Sequence, residues 1–196
     1  RVRGGWWLLS VSTKRQCWAH EHADRGSFSF YSHGLPVTLD PGAGGEYGTA
    51  WSEWYTHNIA HNTATFRDLG VYQTGDAVLR QWAFNPILDF VDIDMSSVHG
   101  DTGASASTAH RRRFLWLKMP GMQNVTPMII WDDTRGATAG ELTAHMHLLT
   151  EQSRRSAGAA TECSHHSQGE VEEVVCSALG GLEVQLVSVR GSLSVN

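Results

Sequence analysis

Leu88-Asp89-Phe90-Val91-Asp92-Ile93-Asp94 changes from apolar to acidic and back almost residue by residue. That is a period of two, the repeat of an extended strand with one face in a core and the other in water. The apolar side chains then share one face, and Asp89, Asp92 and Asp94 fall mostly on the other, as a solvated sheet face. Their spacing lacks the EF-hand pattern that would make them a calcium site. The same period recurs on both sides. Ser27-Phe28-Ser29-Phe30-Tyr31 alternates polar and aromatic, and Leu35-Pro36-Val37-Thr38-Leu39 follows His33-Gly34, so the pair reads as a hairpin. Asn62 to Phe66 alternates again. Arg113 to Met119 and Val125 to Trp131 read as another hairpin, turning at Pro120-Gly121. Leu142 to Leu149 and Leu182 to Val189 complete the series. A period of 3.6 is almost absent. Short strands with turn residues between them predict an all-β chain, an antiparallel sandwich or barrel.

Composition agrees. The chain has 196 residues, 41% of them hydrophobic, with 20 Gly, which is ordinary for a packed globular domain. A charged fraction of 18% argues against intrinsic disorder, and a net charge of −5 argues against a dedicated nucleic-acid binder. No apolar run approaches the roughly 18 residues of a membrane-spanning helix, and no signal-peptide pattern opens the chain. It begins at Arg1 without Met and ends at Asn196 in a strand-like pattern. The expectation is one β region over 1–196, cut from a longer protein at both ends. Three cysteines, Cys17, Cys163 and Cys176, make no disulfide framework and no zinc spacing. A Cys163–Cys176 bridge requires the two to be near in space; three free thiols is the other reading.

Two segments read as loops. Asp40 to Thr49 carries four Gly and a Pro, which permit close backbone approach. Gln152 to Gln168 is rich in Ser, Ala and Arg and reads as a surface loop. The 11 His and 8 Trp are the unusual counts. Tryptophans supply flat apolar surfaces, for a core or for a sugar-binding groove. Trp51 and Trp54 flank the glycine loop, where either use is open. Arg111 to Arg113 could grip an anionic sugar, but on a strand Arg112 points away from its two neighbours, so part of the run is structural. His145 and His147 share a strand face and read as ordinary polar residues. Asn124-Val125-Thr126 matches a glycosylation sequon.

Three polar clusters interrupt the apolar pattern: His20-Glu21-His22-Ala23-Asp24, Asp40-Pro41-Gly42 and His57-Asn58-Ile59-Ala60-His61-Asn62. Two imidazoles and a carboxylate from separate strands are a reasonable ligand set for zinc. Histidines making ordinary hydrogen bonds would look the same, and spacing alone leaves both open. Asn62, next to His61, could fix the imidazole from behind.

The clusters also occur in a telling order: His20-Glu21-His22-Ala23-Asp24, Gly26-Ser27-Phe28, Gly34-Leu35-Pro36, Asp40-Pro41-Gly42 and Ala60-His61-Asn62-Thr63. In this the chain resembles the heparinase II/III-like polysaccharide lyases, which include alginate and oligoalginate lyases. Arg111-Arg112-Arg113-Phe114-Leu115-Trp116 and Ile129-Ile130-Trp131-Asp132-Asp133 resemble the succeeding strands of that family. The resemblance spans roughly residues 16 to 150 and implies an antiparallel β-sandwich. In the family this follows an N-terminal (α/α) toroid, absent here, which supplies further catalytic groups. It implies that His22, Asp40 and His61 hold a structural zinc. It implies that His20 faces the substrate and that Tyr47, with Tyr55 as rival, contacts it. The Arg-Ser that often precedes the Ala-His-Asn is replaced here by Tyr55-Thr56-His57-Asn58.

The implied function is part of a lyase cleaving a uronate-containing polysaccharide by β-elimination. His20 and Tyr47 are then the catalytic candidates, and Trp51, Tyr55 and Arg113 the substrate-binding ones. The implied partners are an acidic polysaccharide and the toroid, with no nucleic acid or membrane, and the implied location is periplasmic or secreted. Two other classes stand beside it. One is a non-catalytic carbohydrate-binding or structural zinc-bearing sandwich. The other is a cupin-like oxygenase using His22, Asp40 and His61 as a two-His-one-carboxylate iron triad.

Overall fold

The computed structural model describes residues 6–9, 21–32, 35–42, 48, 50–66, 73, 75–99, 109–118, 127–135, 142–147, 163–168, 171–177 and 183–189. Among the described residues, twelve strands and one short α-helix run in the order β1 (Trp6–Leu9), β2 (Phe28–Ser32), β3 (Leu35–Thr38), α1 (Ala50–Thr56), β4 (Ala64–Phe66), β5 (Val78–Phe84), β6 (Leu88–Asp94), β7 (Ala109–Leu117), β8 (Met128–Arg135), β9 (Leu142–Ala144), β10 (Cys163–Gln168), β11 (Val171–Ser177) and β12 (Glu183–Val189). All pairings are antiparallel, in sheets ordered β1-β2-β3, β5-β6-β7-β8, β4-β9 and β10-β11-β12.

The chain is an antiparallel β-sandwich, and its alternation explains why. Phe28 and Phe30 point inward from β2, with Val37 from β3. Val91 and Ile93 meet them from β6, and Phe114 and Trp116 from β7; all are buried. The Phe28 and Phe114 rings meet edge to face at 5.5 Å, and Phe30 and Trp116 at 5.9 Å. Burying each such ring stabilises the fold by about 1.5–3 kcal/mol. Gly26, just before β2, has φ +73°, and a Cβ there would stand 2.7 Å from Met95 Sδ. Only glycine lets the chain enter the core at that point.

Several expectations need correction. The three aspartates do not form a solvated face. Asp89 shares the inward side with Val91 and Ile93, is 6% exposed and pairs with Lys118; Asp92 is 4% exposed and held by Arg111 and Arg113. Residues 163–168, read as the end of a surface loop, are strand β10, while 152–162 lie outside the described residues. The strand read over 142–149 stops at Ala144. Arg112 does point opposite to its neighbours: it is 1% exposed, on the core side.

Pairing also places Cys163 directly opposite Cys176. Opposed antiparallel residues have Cα atoms about 4.5–5.5 Å apart, within the span a disulfide bridges. Under oxidising conditions the chain is expected to be about 2 Da lighter, the two hydrogens lost on forming one S–S bond, with Cys17 alone open to alkylation. Three alkylated thiols in the folded, air-oxidised chain would contradict this.

A second polar cluster lies inside the sandwich. His99 Nε2 meets His110 Nδ1 at 2.9 Å, and His110 Nε2 donates to Asp132 Oδ1 at 2.8 Å. Arg112 Nε stands 3.4 Å from the same oxygen, and the Phe66 ring packs on both imidazoles. Burial, and then the neighbouring His110, push the His99 pKa down to about 3; Asp132 opposes them. Its unfolded value is near 6.5, so between the two the unfolded chain binds the extra proton. Stability is therefore complete above pH 6.5 and falls as the pH drops toward 3, by up to about 1.4 kcal/mol per unit. Urea unfolding of the His99→Gln variant is expected to show that slope reduced by one proton. An unchanged slope would contradict the assignment.

Candidate functional site

The open end of the β2–β3 hairpin gathers the first two clusters. Residues 21–27 enter β2 where Leu39 and Asp40 leave β3, and Asp40 N donates to Ser29 Oγ at 3.3 Å. The third cluster arrives from α1 and the 3-10 turn Asn58–Ala60. The Ala23 amide donates to the Thr56 carbonyl at 2.9 Å, fixing the His22 segment to the end of α1.

His61 is fully buried at the meeting point. Its Nδ1 lies 2.8 Å from Asp40 Oδ2 and its Nε2 3.0 Å from the Tyr55 carbonyl oxygen. Both partners are acceptors, so each calls for a donor, and a neutral ring has one N–H to give. The His22 ring stands 5.3 Å from that of His61, tilted by 45°. Ser27 Oγ donates to Asp40 Oδ2 at 2.8 Å and accepts from the Asn62 amide at 3.1 Å.

Behind this row, Asn62 acts as a hub. Its Nδ2 donates to the carbonyls of Phe28 (2.7 Å) and Leu39 (3.1 Å), and its Oδ1 accepts from the His147 amide at 2.6 Å. One buried side chain thus joins β2, the exit of β3 and the segment after β9. Arg112 reaches the same place from β7, its Nη1 lying 3.3 Å from the Gly26 carbonyl and 3.4 Å from that of Asn62.

Electrostatics sort the ionisable groups. Burial, then His61, push the His22 pKa down, so its imidazole is neutral at pH 7 with a lone pair to offer. Burial alone would raise Asp40, but the hydrogen bond and charge of His61, with Ser27, hold it below the usual carboxylate range. Burial pushes Asp24 up, and the charges of His61 and His22 oppose it without cancelling it.

These donors suit a zinc ion in type: two imidazoles and a carboxylate. Two ligands on one tetrahedral zinc stand roughly 3.3 Å apart, so the 2.8 Å between Asp40 and His61 needs only a small opening. As placed, Asp40 and His61 are hydrogen-bonded and His22 meets them only through its ring contact with His61; among the described residues no three His, Cys, Asp or Glu side chains are arranged to hold a metal ion.

The other sequence candidates fall in three places. Tyr55 is in α1, its ring edge-on to Trp54 at 5.0 Å, and Trp54 in turn meets His147 at 6.0 Å. Trp51 occupies the turn of α1 before Tyr55. His20 and Tyr47 lie outside the described residues. Arg113 is not brought to the cluster: it projects from the face of β7 opposite to Arg112, with its guanidinium 4.9 Å above the Trp131 ring. Sequence reasoning missed Ser27 and His147 as site residues; both act through hydrogen bonds to segments distant in sequence, Ser27 to Asp40 and Asn62, His147 to Asn62 and Ile59.

A family model described as "Heparinase II/III-like, C-terminal" matches residues 1–192. No curated protein matches significantly. Among solved structures, a heparan sulfate lyase HepC mutant from Pedobacter heparinus is similar at 19% identity and TM-score 0.60, over 87% of this chain and 25% of that one. Heparinase III is similar at 14% identity and TM-score 0.59, over 88% of this chain and 26% of that one. The Heparinase III-BT4657 gene product is similar at 14% identity and TM-score 0.57, over 89% of this chain and 27% of that one. The chain thus spans about a quarter of the length of these relatives. At these identities the likeness shows the fold.

Proposed function

The chain belongs to the heparinase II/III-like C-terminal family, and from that premise we propose that it forms the β-sandwich wall of the cleft in a lyase cleaving a uronate-containing polysaccharide. The observation that carries the reading is the junction of His22, Asp40 and His61 at one end of the sandwich, locked from behind by Asn62. The reaction is β-elimination. A base removes the C5 proton, the C4–O bond breaks, a C4=C5 double bond forms, and an acid protonates the departing oxygen. The uronate carboxylate must be neutralised for the enolate-like state to be reached. Histidine and tyrosine titrate in a range that serves both proton transfers. His20 and Tyr47 are the groups assigned to them, with Tyr55 and Trp51, both in α1, as the substrate-binding candidates.

His22, Asp40 and His61 would hold zinc, which supplies a fixed positive charge and a cross-link between three segments. Asn62, Ser27 and Arg112 hold those segments in register, within the narrow tolerance that catalysis sets. The reading carries a periplasmic or secreted location and an acidic polysaccharide as partner. A second reading is a non-catalytic glycan-binding sandwich with the same zinc. The test is turnover of alginate, hyaluronate and heparan-type polymers by the full-length protein, read as ultraviolet absorbance of the unsaturated uronate end. Absorbance growth on one of them is expected. Polymer shortening without it would sink the elimination mechanism.

A further inference from the structure

The sheet β5-β6-β7-β8 has a second face, pointing away from the core. Register lines it up row by row. Asp94, Arg111 and Asp133 form one row; Asp92, Arg113 and Trp131 the next; Phe90, Leu115 and Ile129 the third. Trp131 is 55% exposed and Ile129 50%. Arg113 covers one side of the indole. Strand β8 has no neighbour beyond it among the described residues, and Trp131 is more than half exposed.

The charges here are unlike those of the whole chain. Arg111 and Arg113 share Asp92, Arg113 and Arg135 share Asp133, and Arg80 pairs with Asp94. Four guanidinium groups thus face three carboxylates, in a chain of net charge −5. A shared carboxylate occupies only part of each five-donor fork. The Arg135 side chain is 79% exposed.

We propose that this face is a secondary contact for an anionic saccharide chain. The C–H side of a sugar ring stacks on Trp131, and a carboxylate or sulfate on that sugar meets Arg113 and Arg135. The class of polymer rests on the lyase reading. The contact is separate from the cleft: Arg112 points from the same strand into the sandwich, toward Gly26 and Asn62, so Arg113 and the His61 cluster lie on opposite sides of the sheet. A polymer held here is kept near the cleft without entering it.

The test is affinity electrophoresis of the 196-residue chain in gels containing heparin, alginate or neutral dextran, with sedimentation run in parallel. The acidic polymers are expected to retard the chain and dextran is not. Trp131→Ala should weaken retardation roughly three- to tenfold, the worth of one aromatic stack. Arg135→Gln, a substitution at an exposed side chain, should weaken it and flatten its salt dependence. No retardation, or equal retardation of wild type and Trp131→Ala, overturns the proposal. So does a dimer that Trp131→Ala converts to monomer without change in retardation, which would make the face a contact between copies. Retardation that persists in a full-length protein without turnover supports this site while removing the lyase reading, so the two failures stay distinct.

Discussion

Replacing Arg112 with Met is expected to cost about 3–5 kcal/mol of unfolding free energy, the range for removing one partner of a buried ion pair. Arg112 and Asp132 are 1% and 10% exposed at the side chain, and the carboxyl also accepts from His110. Burial alone would raise Asp132, and Arg112 with His110 holds it below its usual range. Without Arg112, the carboxylate loses its cation where water cannot replace it. The Gly26 and Asn62 carbonyls lose a donor as well. A domain of this kind has about 5–15 kcal/mol in total, so the variant is marginal at best. Urea unfolding measures it. The double variant Arg112→Met/Asp132→Asn should recover much of the loss. It leaves no uncompensated charge, and the amide oxygen it introduces can still accept from His110. A single-variant cost under about 1 kcal/mol would mean that the pair is solvated.

Substitution of His61 and of His20 is expected to separate structure from chemistry. His61→Ala removes the group that Asp40, Tyr55 and His22 all contact. It should lower the melting temperature, abolish metal binding and abolish turnover by the full-length protein. His20→Ala should leave unfolding and metal content unchanged and reduce kcat by about 10²–10⁴, the contribution of a positioned acid or base. Circular dichroism, metal analysis and turnover measured on the same preparations decide it. Loss of structure in the His20 variant would reverse the division of roles.

Legibility in the sequence followed from where each residue's partners lie. Leu88–Asp94 was readable as a strand because alternation is local, and its bounds match the structure. Val78–Phe84 was not, because it exposes Trp82 and Phe84 as well as Arg80 and Gln81, so no face is consistently buried. Cys163–Gln168 is polar throughout and carries no core signal. The burial of Asp89 and Asp92 was invisible because their partners, Lys118, Arg111 and Arg113, lie some twenty to thirty positions away. The site divides the same way. His22, Asp40 and His61 stand out by residue type and order. The network behind them, from Asn62 to Arg112 and His147, depends on which carbonyls the fold leaves unpaired, and only the folded chain shows that.

The central claim is that these three clusters make one metal-organised wall. Metal analysis of the purified chain, with His22→Ala, Asp40→Ala and His61→Ala beside it, tests it most directly. The account predicts about one zinc per folded chain, lost in each variant. A wild-type chain that is cooperatively folded and binds no zinc, even when zinc is supplied, would contradict it.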